Sequence, residues 1–183
     1  MRPLRYSINV TLDGCVDHRV GSPDPELHQH SAGIIARADA LILGRPTYEL
    51  MESAWRPPRE ETGFPDWTVP FAQAIGKAKK YVASRTLTSV DWNAELITGD
   101  LIETVRCLKE EPGEGLYVGG VVLPVALADA GLIDEFEFIV HPRIAGHGPW
   151  LFDGLRQVVD LEPVRSITFA GGAVATTYVP KGS

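Results

Sequence analysis

Short segments with strand character alternate along the chain with longer segments that have the spacing of amphipathic helices. The short segments are rich in β-branched and aromatic residues, which predicts strands. Up to residue 120, the predicted strands are LRYSINVTL (4–12), ALIL (40–43), KKYVASRTL (79–87), AELIT (94–98) and GLYVGG (115–120). The predicted helices are PELHQHSAGIIARA (25–38), TYELMES (47–53), VPFAQAIGKA (69–78), DLIETVRCLKEEPG (100–113) and LPVALADAGL (123–132). This alternation favours an α/β fold with a mainly parallel sheet.

The C-terminal part of the chain has a different pattern. EFEFIVHPRI (135–144) alternates polar and apolar residues, and SITFAGGAVATTYVP (166–180) has the pattern of a hairpin across Gly171 and Gly172. We therefore predict that these strands are antiparallel and lie at one edge of the sheet. RPPREETGFPDW (56–67) is rich in proline and charge but short. We interpret it as a surface loop within a single domain of residues 1–183.

The composition limits the partners and compartments that the chain suits. It has 17 Lys and Arg against 24 Asp and Glu, a formal net charge of −7, so we expect no general attraction to nucleic acid or to anionic membranes. Any phosphate group must therefore be held locally. The two cysteines form no CxxC motif, and the sequence contains neither a signal-peptide pattern nor a membrane-length apolar run. These features predict a cytoplasmic protein.

Three predicted strands end in residue types that suit phosphate groups, in LGRPT (43–47), ASRT (83–86) and VGGVVLP (118–124). Gly44 permits a close turn, Arg45 offers a planar cation, and Thr47 can donate a hydrogen bond near a helix start. Ser84 and Arg85 pair a hydroxyl with a guanidinium. Because ligands of open α/β sheets bind outside the carboxyl ends of the strands, we expect these three segments to share one ligand.

Each of these segments also has a purely structural interpretation. Gly44 can simply make a turn, Thr47 can cap a helix, and Ser84-Arg85 can be a solvated surface turn. Gly119 and Gly120 can form a tight turn, or they can let a pyrophosphate approach the amides at a helix start. We favour the second role for the glycine pair. We therefore expect Gly120→Ala to weaken cofactor binding while thermal stability changes little.

Several stricter motifs are missing from the sequence. It has no GxxxxGK[ST], no GxGxxG after a strand, no GxSxG and no zinc-deaminase pattern. His28 and His30 stand two residues apart on a predicted helix and should face different directions, so we do not expect a metal site.

Four segments together carry a family resemblance: TLDG (11–14), LILGRPTYE (41–49), KKYVASRTL (79–87) and LYVGGVVLPVALADAGLIDEFEFIVHPRIAGHGPWLF (116–152). In this order and spacing they resemble the reductase domain of the riboflavin enzyme RibD and its dihydrofolate reductase-like relatives. The resemblance spans nearly the whole chain. It implies a dihydrofolate reductase-like α/β/α fold in three layers, NADPH as hydride donor, and commonly a homodimer.

The resemblance places cofactor contacts at the three strand ends described above. They are Gly44, Arg45, Thr47, Ser84, Arg85, Gly119, Gly120, Val121 and Val122. Arg45 and Arg85 would then flank the adenosine 2′-phosphate. The zinc deaminase half of bifunctional riboflavin enzymes is absent from this sequence, so we expect either a stand-alone reductase or a relative that was recruited to another role.

Catalysis by such a reductase also needs a proton source and a substrate site. Our candidates for the proton donor are the carboxyl groups of Asp13, Asp24 and Glu26, in that order, with a water molecule as the alternative. Asp13 can also be simply a turn former. The substrate-binding candidates are Trp55, Arg56 and Arg59, in a loop with Trp67 that can close over a planar heterocycle or simply pack on the surface.

Three functions remain open at this point. The first is reduction of a small planar heterocycle, most like 5-amino-6-(5-phosphoribosylamino)uracil. The second is reduction of dihydrofolate or another pterin. The third is a non-catalytic ligand-binding domain with the same fold.

Overall fold

The computed structural model describes residues 1–22 and 24–182. The strands of this part are β1 (Leu4–Thr11), β2 (Ala40–Gly44), β3 (Lys80–Ala83), β4 (Ala94–Ile97), β5 (Leu116–Gly119), β6 (Glu135–His141), β7 (Leu161–Thr168) and β8 (Val174–Pro180). They form one sheet in the order β4-β3-β2-β5-β1-β6-β8-β7. The first six strands of that order are parallel to one another, and β8 and β7 complete the sheet as an antiparallel hairpin.

Helices cover both faces of the sheet. They are α1 (Pro25–Ala36), α2 (Arg45–Trp55), α3 (Arg59–Thr62), α4 (Val69–Lys77), α5 (Leu101–Glu110) and α6 (Val122–Asp129). Alternating residues of β2 show the two layers, because side chains of a strand point alternately to opposite faces. Ile42 packs in a cluster with residues of α5 and α6, whereas Leu41 packs in a cluster with residues of α2 and α4.

Local sequence explains where the principal helices begin and end. The Asp24 side chain accepts a hydrogen bond from the Leu27 amide at the start of α1, and the Asp100 side chain accepts one from the Glu103 amide at the start of α5. The chain turns after α6 at Gly131, whose φ is +65°, a conformation that glycine adopts at little cost. None of the described helices is long and apolar enough to cross a membrane.

The structure confirms the α/β fold, the mainly parallel sheet and the antiparallel hairpin at its C-terminal edge. The prediction that EFEFIVHPRI is an edge element was wrong. β6 lies inside the sheet, parallel to β1 and antiparallel to β8, so its alternation reflects two covered faces. The loop at 56–67 also differs from the prediction, because it contains α3 and a single 3-10 turn, Asp66–Thr68.

Candidate functional site

The three segments whose residue types suit phosphate groups (43–47, 83–86 and 118–124) lie together in the structure. β3, β2, β5 and β1 are consecutive and parallel in the sheet, so their carboxyl ends lie at one edge. The segment that follows each strand therefore faces the same region of the surface. This arrangement is what a shared ligand at these strand ends requires.

Two helices start at this edge without a side-chain cap. α2 begins after Gly44 and α6 begins after Val121, and neither N-cap residue accepts a side-chain hydrogen bond from its helix. The first N–H groups of a helix have no partner within the helix. Because β2 and β5 are neighbours, the partial positive charges of both helix ends lie side by side. The capping role considered for Thr47 is not observed.

Gly120 joins these two helix starts. Its φ is +98°, and a Cβ atom added to it would collide with the hydroxyl of Thr47. The carbonyl of Gly120 accepts a hydrogen bond of 3.1 Å from the Tyr6 hydroxyl. The expectation that Gly120→Ala leaves stability nearly unchanged was therefore wrong, because an alanine here meets both a disfavoured backbone conformation and a steric collision.

The two arginines proposed for a phosphate group are exposed at this edge. Arg45 lies 3.8 Å from Glu49 of its own helix, and Arg85 pairs with no residue in the described part of the chain. Ser84 instead supports its own turn, because its hydroxyl accepts hydrogen bonds from the amides of Thr86 and Leu87. Both guanidinium groups thus remain accessible to a solute.

The carboxylate of Asp13 holds a loop rather than facing an open cleft. It accepts a hydrogen bond from the Thr11 hydroxyl and others from the amides of Ala145 and Gly146. The bond from Thr11, followed by those from the two amides, lowers the pKa of Asp13 to about 2. An ionised group cannot donate a proton near neutral pH, so these contacts favour the structural alternative for Asp13.

Asp24 and Glu26 also bind main-chain amides. Besides capping α1, Asp24 accepts a hydrogen bond of 2.9 Å from the amide of Gly171, and Glu26 accepts one of 3.0 Å from the amide of Ala170. Both carboxylates thus fasten the start of α1 to the turn between β7 and β8. Their geometry explains a structural role and gives no support for proton donation.

The residues proposed for the substrate loop do not form one open surface. Trp55 packs against Phe64 and Phe71, with ring centroids 5.0 and 4.7 Å apart. Arg56 is paired with the carboxylates of Glu52 and Asp91. Arg59 begins α3, and its side chain lies outside the described part of the structure.

The two histidines of α1 point to different partners. His28 packs against aromatic rings, including Trp67 at 4.8 Å, whereas His30 Nε2 lies 3.0 Å from the Glu137 carboxylate. Burial lowers the pKa of His28. Within the described residues, no group of three or more metal-ligating side chains lies together.

Sequence analysis missed Asn9 and His141. Asn9 is exposed although β1 is an interior strand, and its Oδ1 atom lies 2.8 Å from His141 Nε2. Ser7, Asn9 and Thr11 give one face of β1 a polar character. A polar face on a strand that lies between two other strands was the feature of the sequence that could have indicated Asn9.

A cavity of about 350 Å³ lies beside the first turns of α6. Its wall includes Val121 and Val122 on one side and Trp150 on the other. Trp150 is held by a β-bridge to Cys15, just after the TLDG turn. The cavity has the size of a small-molecule site and adjoins the glycine turn.

Known proteins are similar to this chain in sequence and in fold. The family described as RibD C-terminal domain matches residues 2–175. The Bacillus subtilis (strain 168) protein "Uncharacterized protein YyaP" is 30% identical over 181 residues, which cover 97% of this chain and 94% of that protein. A candidate riboflavin biosynthesis protein from Shewanella sp. PV-4 has a similar structure, with a TM-score of 0.75, 22% identity, and coverage of 98% of this chain and 99% of that chain. Dihydrofolate reductase from Enterococcus faecalis, complexed with NADP(H), has a TM-score of 0.68 and 16% identity, with 98% of this chain and 96% of that chain covered.

Proposed function

The chain belongs to the RibD C-terminal domain family, and we propose that it is an NADPH-dependent reductase of a small planar heterocyclic substrate. The observation that carries this proposal is the pairing of two uncapped helix starts at neighbouring strand ends. The N-termini of α2 and α6 lie beside each other, and Gly119 and Gly120 have no side chains that would cover the backbone there. Such N–H groups bind phosphate oxygens.

The residues present fit a dinucleotide that carries an additional phosphate. The uncapped helix starts and the glycine turn would hold the pyrophosphate, because the N–H groups of both helix starts lie at neighbouring strand ends. Arg45 and Arg85 supply exposed guanidinium groups for the 2′-phosphate of NADPH.

The chain positions the reactants. When NADPH is bound, its nicotinamide supplies the hydride that reduces the substrate. The chain fixes the cofactor at the strand ends, which orients it for transfer to a bound substrate. The three candidate carboxylates are all engaged with main-chain amides, so we assign delivery of the proton to water.

The substrate class follows from the family and from the site. We propose a pyrimidine-type compound, most like 5-amino-6-(5-phosphoribosylamino)uracil. Reduction of dihydrofolate is the alternative. Dihydrofolate reductases place a carboxylate at the start of the helix after the first strand against the pterin, and here Asp24 and Glu26 of that region are engaged with the β7–β8 turn, which weighs against this alternative.

The reductase proposal is tested by the loss of nicotinamide absorbance when the protein is mixed with NADPH and a candidate acceptor. We expect NADPH to be consumed with an aminouracil ribose phosphate and not with dihydrofolate. Rapid turnover of dihydrofolate would instead establish the alternative. An Arg45→Ala, Arg85→Ala double variant serves as the control for cofactor-dependent turnover, since it should raise the KM for NADPH.

A further inference from the structure

Asn9 has an unusual position for a polar side chain. β1 lies between β5 and β6, and the register pairs Asn9 with Ile139 of β6. Paired residues of neighbouring strands point to the same face. Ile139 packs with Leu27 of α1, so Asn9 faces the side of the sheet that α1 covers. Because Asn9 is nevertheless exposed, that face is open above it.

This opening lies at the edge that carries the proposed cofactor site. Asn9 stands two residues before the end of β1, and Tyr6 of the same strand bonds to the carbonyl of Gly120. On the other side of β1 is His141, the last residue of β6. Asn9 thus lies between the glycine turn and His141.

His141 fixes the orientation of the Asn9 amide. The ring is buried, and burial, followed by the charge of Arg143, lowers the pKa of His141, which favours the neutral imidazole. Nε2–H then donates to Asn9 Oδ1 over 2.8 Å. The Nδ2 atom of Asn9 donates to no atom in the described part of the chain. Its two N–H groups are therefore available to a solute in the opening.

We propose that Asn9 is a residue of this opening that selects the substrate, by donating from Nδ2 to a ring carbonyl oxygen, and that His141 is its positioning residue. The proposal rests on the proposed function. Because buried His141 binds the amide oxygen of Asn9, only the N–H groups of Asn9 face the opening. A ligand that presents only hydrogen-bond donors to Asn9 therefore finds no acceptor there. A site with fixed donors discriminates strongly against a ligand that lacks the acceptor.

The test compares two pyrimidine probes of opposite hydrogen-bonding character. 5,6-Diaminouracil carries carbonyl groups at C2 and C4, whereas 2,4-diaminopyrimidine carries amino groups at these two positions. Each probe is titrated calorimetrically into the parent, Asn9→Ala and Asn9→Asp, with and without NADP⁺ in the solution. The matched control is Gln29→Ala, which removes an exposed amide from α1.

We expect the parent and Gln29→Ala to prefer the uracil probe. Asn9→Ala should lose about tenfold in affinity for it, as expected for one hydrogen bond. Asn9→Asp replaces the donors with a carboxylate and should reverse the preference between the probes. The assignment is overturned if Asn9→Ala binds the uracil probe as tightly as the parent, or if the parent binds it neither with nor without NADP⁺.

A second pair of variants tests the positioning role of His141. His141→Gln keeps an N–H donor for Asn9 Oδ1 and should retain probe affinity, whereas His141→Leu should lose it while remaining folded. Equal affinities in the two variants would contradict the positioning role.

An NADPH titration of the same preparations separates this inference from the proposed function. If NADPH does not bind but binding of the uracil probe depends on Asn9, only the reductase proposal is contradicted. If NADPH binds but binding of the uracil probe does not depend on Asn9, only the assignment of Asn9 is contradicted.

Discussion

Gly146 donates its main-chain N–H to the carboxylate of Asp13 over 2.7 Å, although 133 positions separate the two residues. The bond joins the turn after β1 to the loop after β6. Leu151 N–H adds a bond of 2.9 Å to the Gly14 carbonyl. The TLDG turn and the AGHGPW segment thus form one structural unit beside the proposed site.

We predict that Asp13→Asn destabilises this unit in a pH-dependent way. The folded-state pKa of about 2 lies below the ordinary value of 3.8, mainly because of the hydrogen bond from Thr11. A carboxyl group whose pKa is lower in the folded state stabilises the fold at pH values above its unfolded-state pKa. This stabilisation is lost as the pH falls through the folded-state pKa. The melting temperature of the variant should therefore be below that of the parent near neutral pH, and the gap should narrow towards pH 2.

Asp153→Asn is the control for this measurement. Asp153 is exposed, and its carboxylate accepts no hydrogen bond from the described residues, so its replacement should leave the pH profile unchanged. A gap between Asp13→Asn and the parent that stays constant with pH would contradict the role given to the carboxylate.

Arg45→Ala and Arg85→Ala should each weaken NADPH binding more than NADH binding. Each removes a charge-assisted contact to the additional phosphate, worth about 1.5 to 3 kcal/mol. Fluorescence titration of both cofactors measures the difference. Arg106→Ala is the control, because Arg106 is exposed on α5 and pairs with Glu103. Equal losses for both cofactors would show that the two arginines do not contact the 2′-phosphate.

Gly120→Ala should lower the melting temperature even without cofactor. The positive φ of +98° costs a residue with a side chain about 1 kcal/mol or more, and the collision with Thr47 adds to it. Removing the Thr47 hydroxyl in a Thr47→Ala, Gly120→Ala double variant should restore part of the loss. Gly99→Ala is the control, since a Cβ atom there meets open space. An unchanged melting temperature for Gly120→Ala would contradict the observed turn geometry.

We also predict a homodimer that packs through the outer hairpin. β7 is the last strand of the sheet, most of its residues are exposed, and Val164 is 56% exposed. Sedimentation at micromolar concentration should show a dimer in the parent and dissociation in Val164→Glu. Leu50→Glu, on α2, is the control. A monomeric parent would remove this prediction.

Much of the fold followed from local patterns. The strand ends at Gly44, Ser84 and Gly119 were identified correctly, because glycine, hydroxyl and arginine residues interrupt apolar runs there. Their convergence followed from the rule that carboxyl ends of parallel strands share an edge. The direction of β6 did not follow, because an alternating pattern fits a covered parallel strand as well as an antiparallel edge.

The remaining parts of the site depend on contacts between distant residues. Arg56 pairs with Asp91 across 35 positions, and Asp13 meets the loop after β6, so neither side chain is free in the way local sequence indicated. Asn9 reaches His141 across 132 positions. No local pattern reveals which partner such a polar side chain finds.

The central claim is that the strand ends of this chain hold NADPH. The most direct measurement is a titration of the parent protein with NADPH and, in parallel, NADH, followed by nicotinamide fluorescence. We predict saturable binding of NADPH that is tighter than that of NADH, because only NADPH carries the phosphate that Arg45 and Arg85 can contact. Failure of the folded parent protein to bind either cofactor would contradict the account.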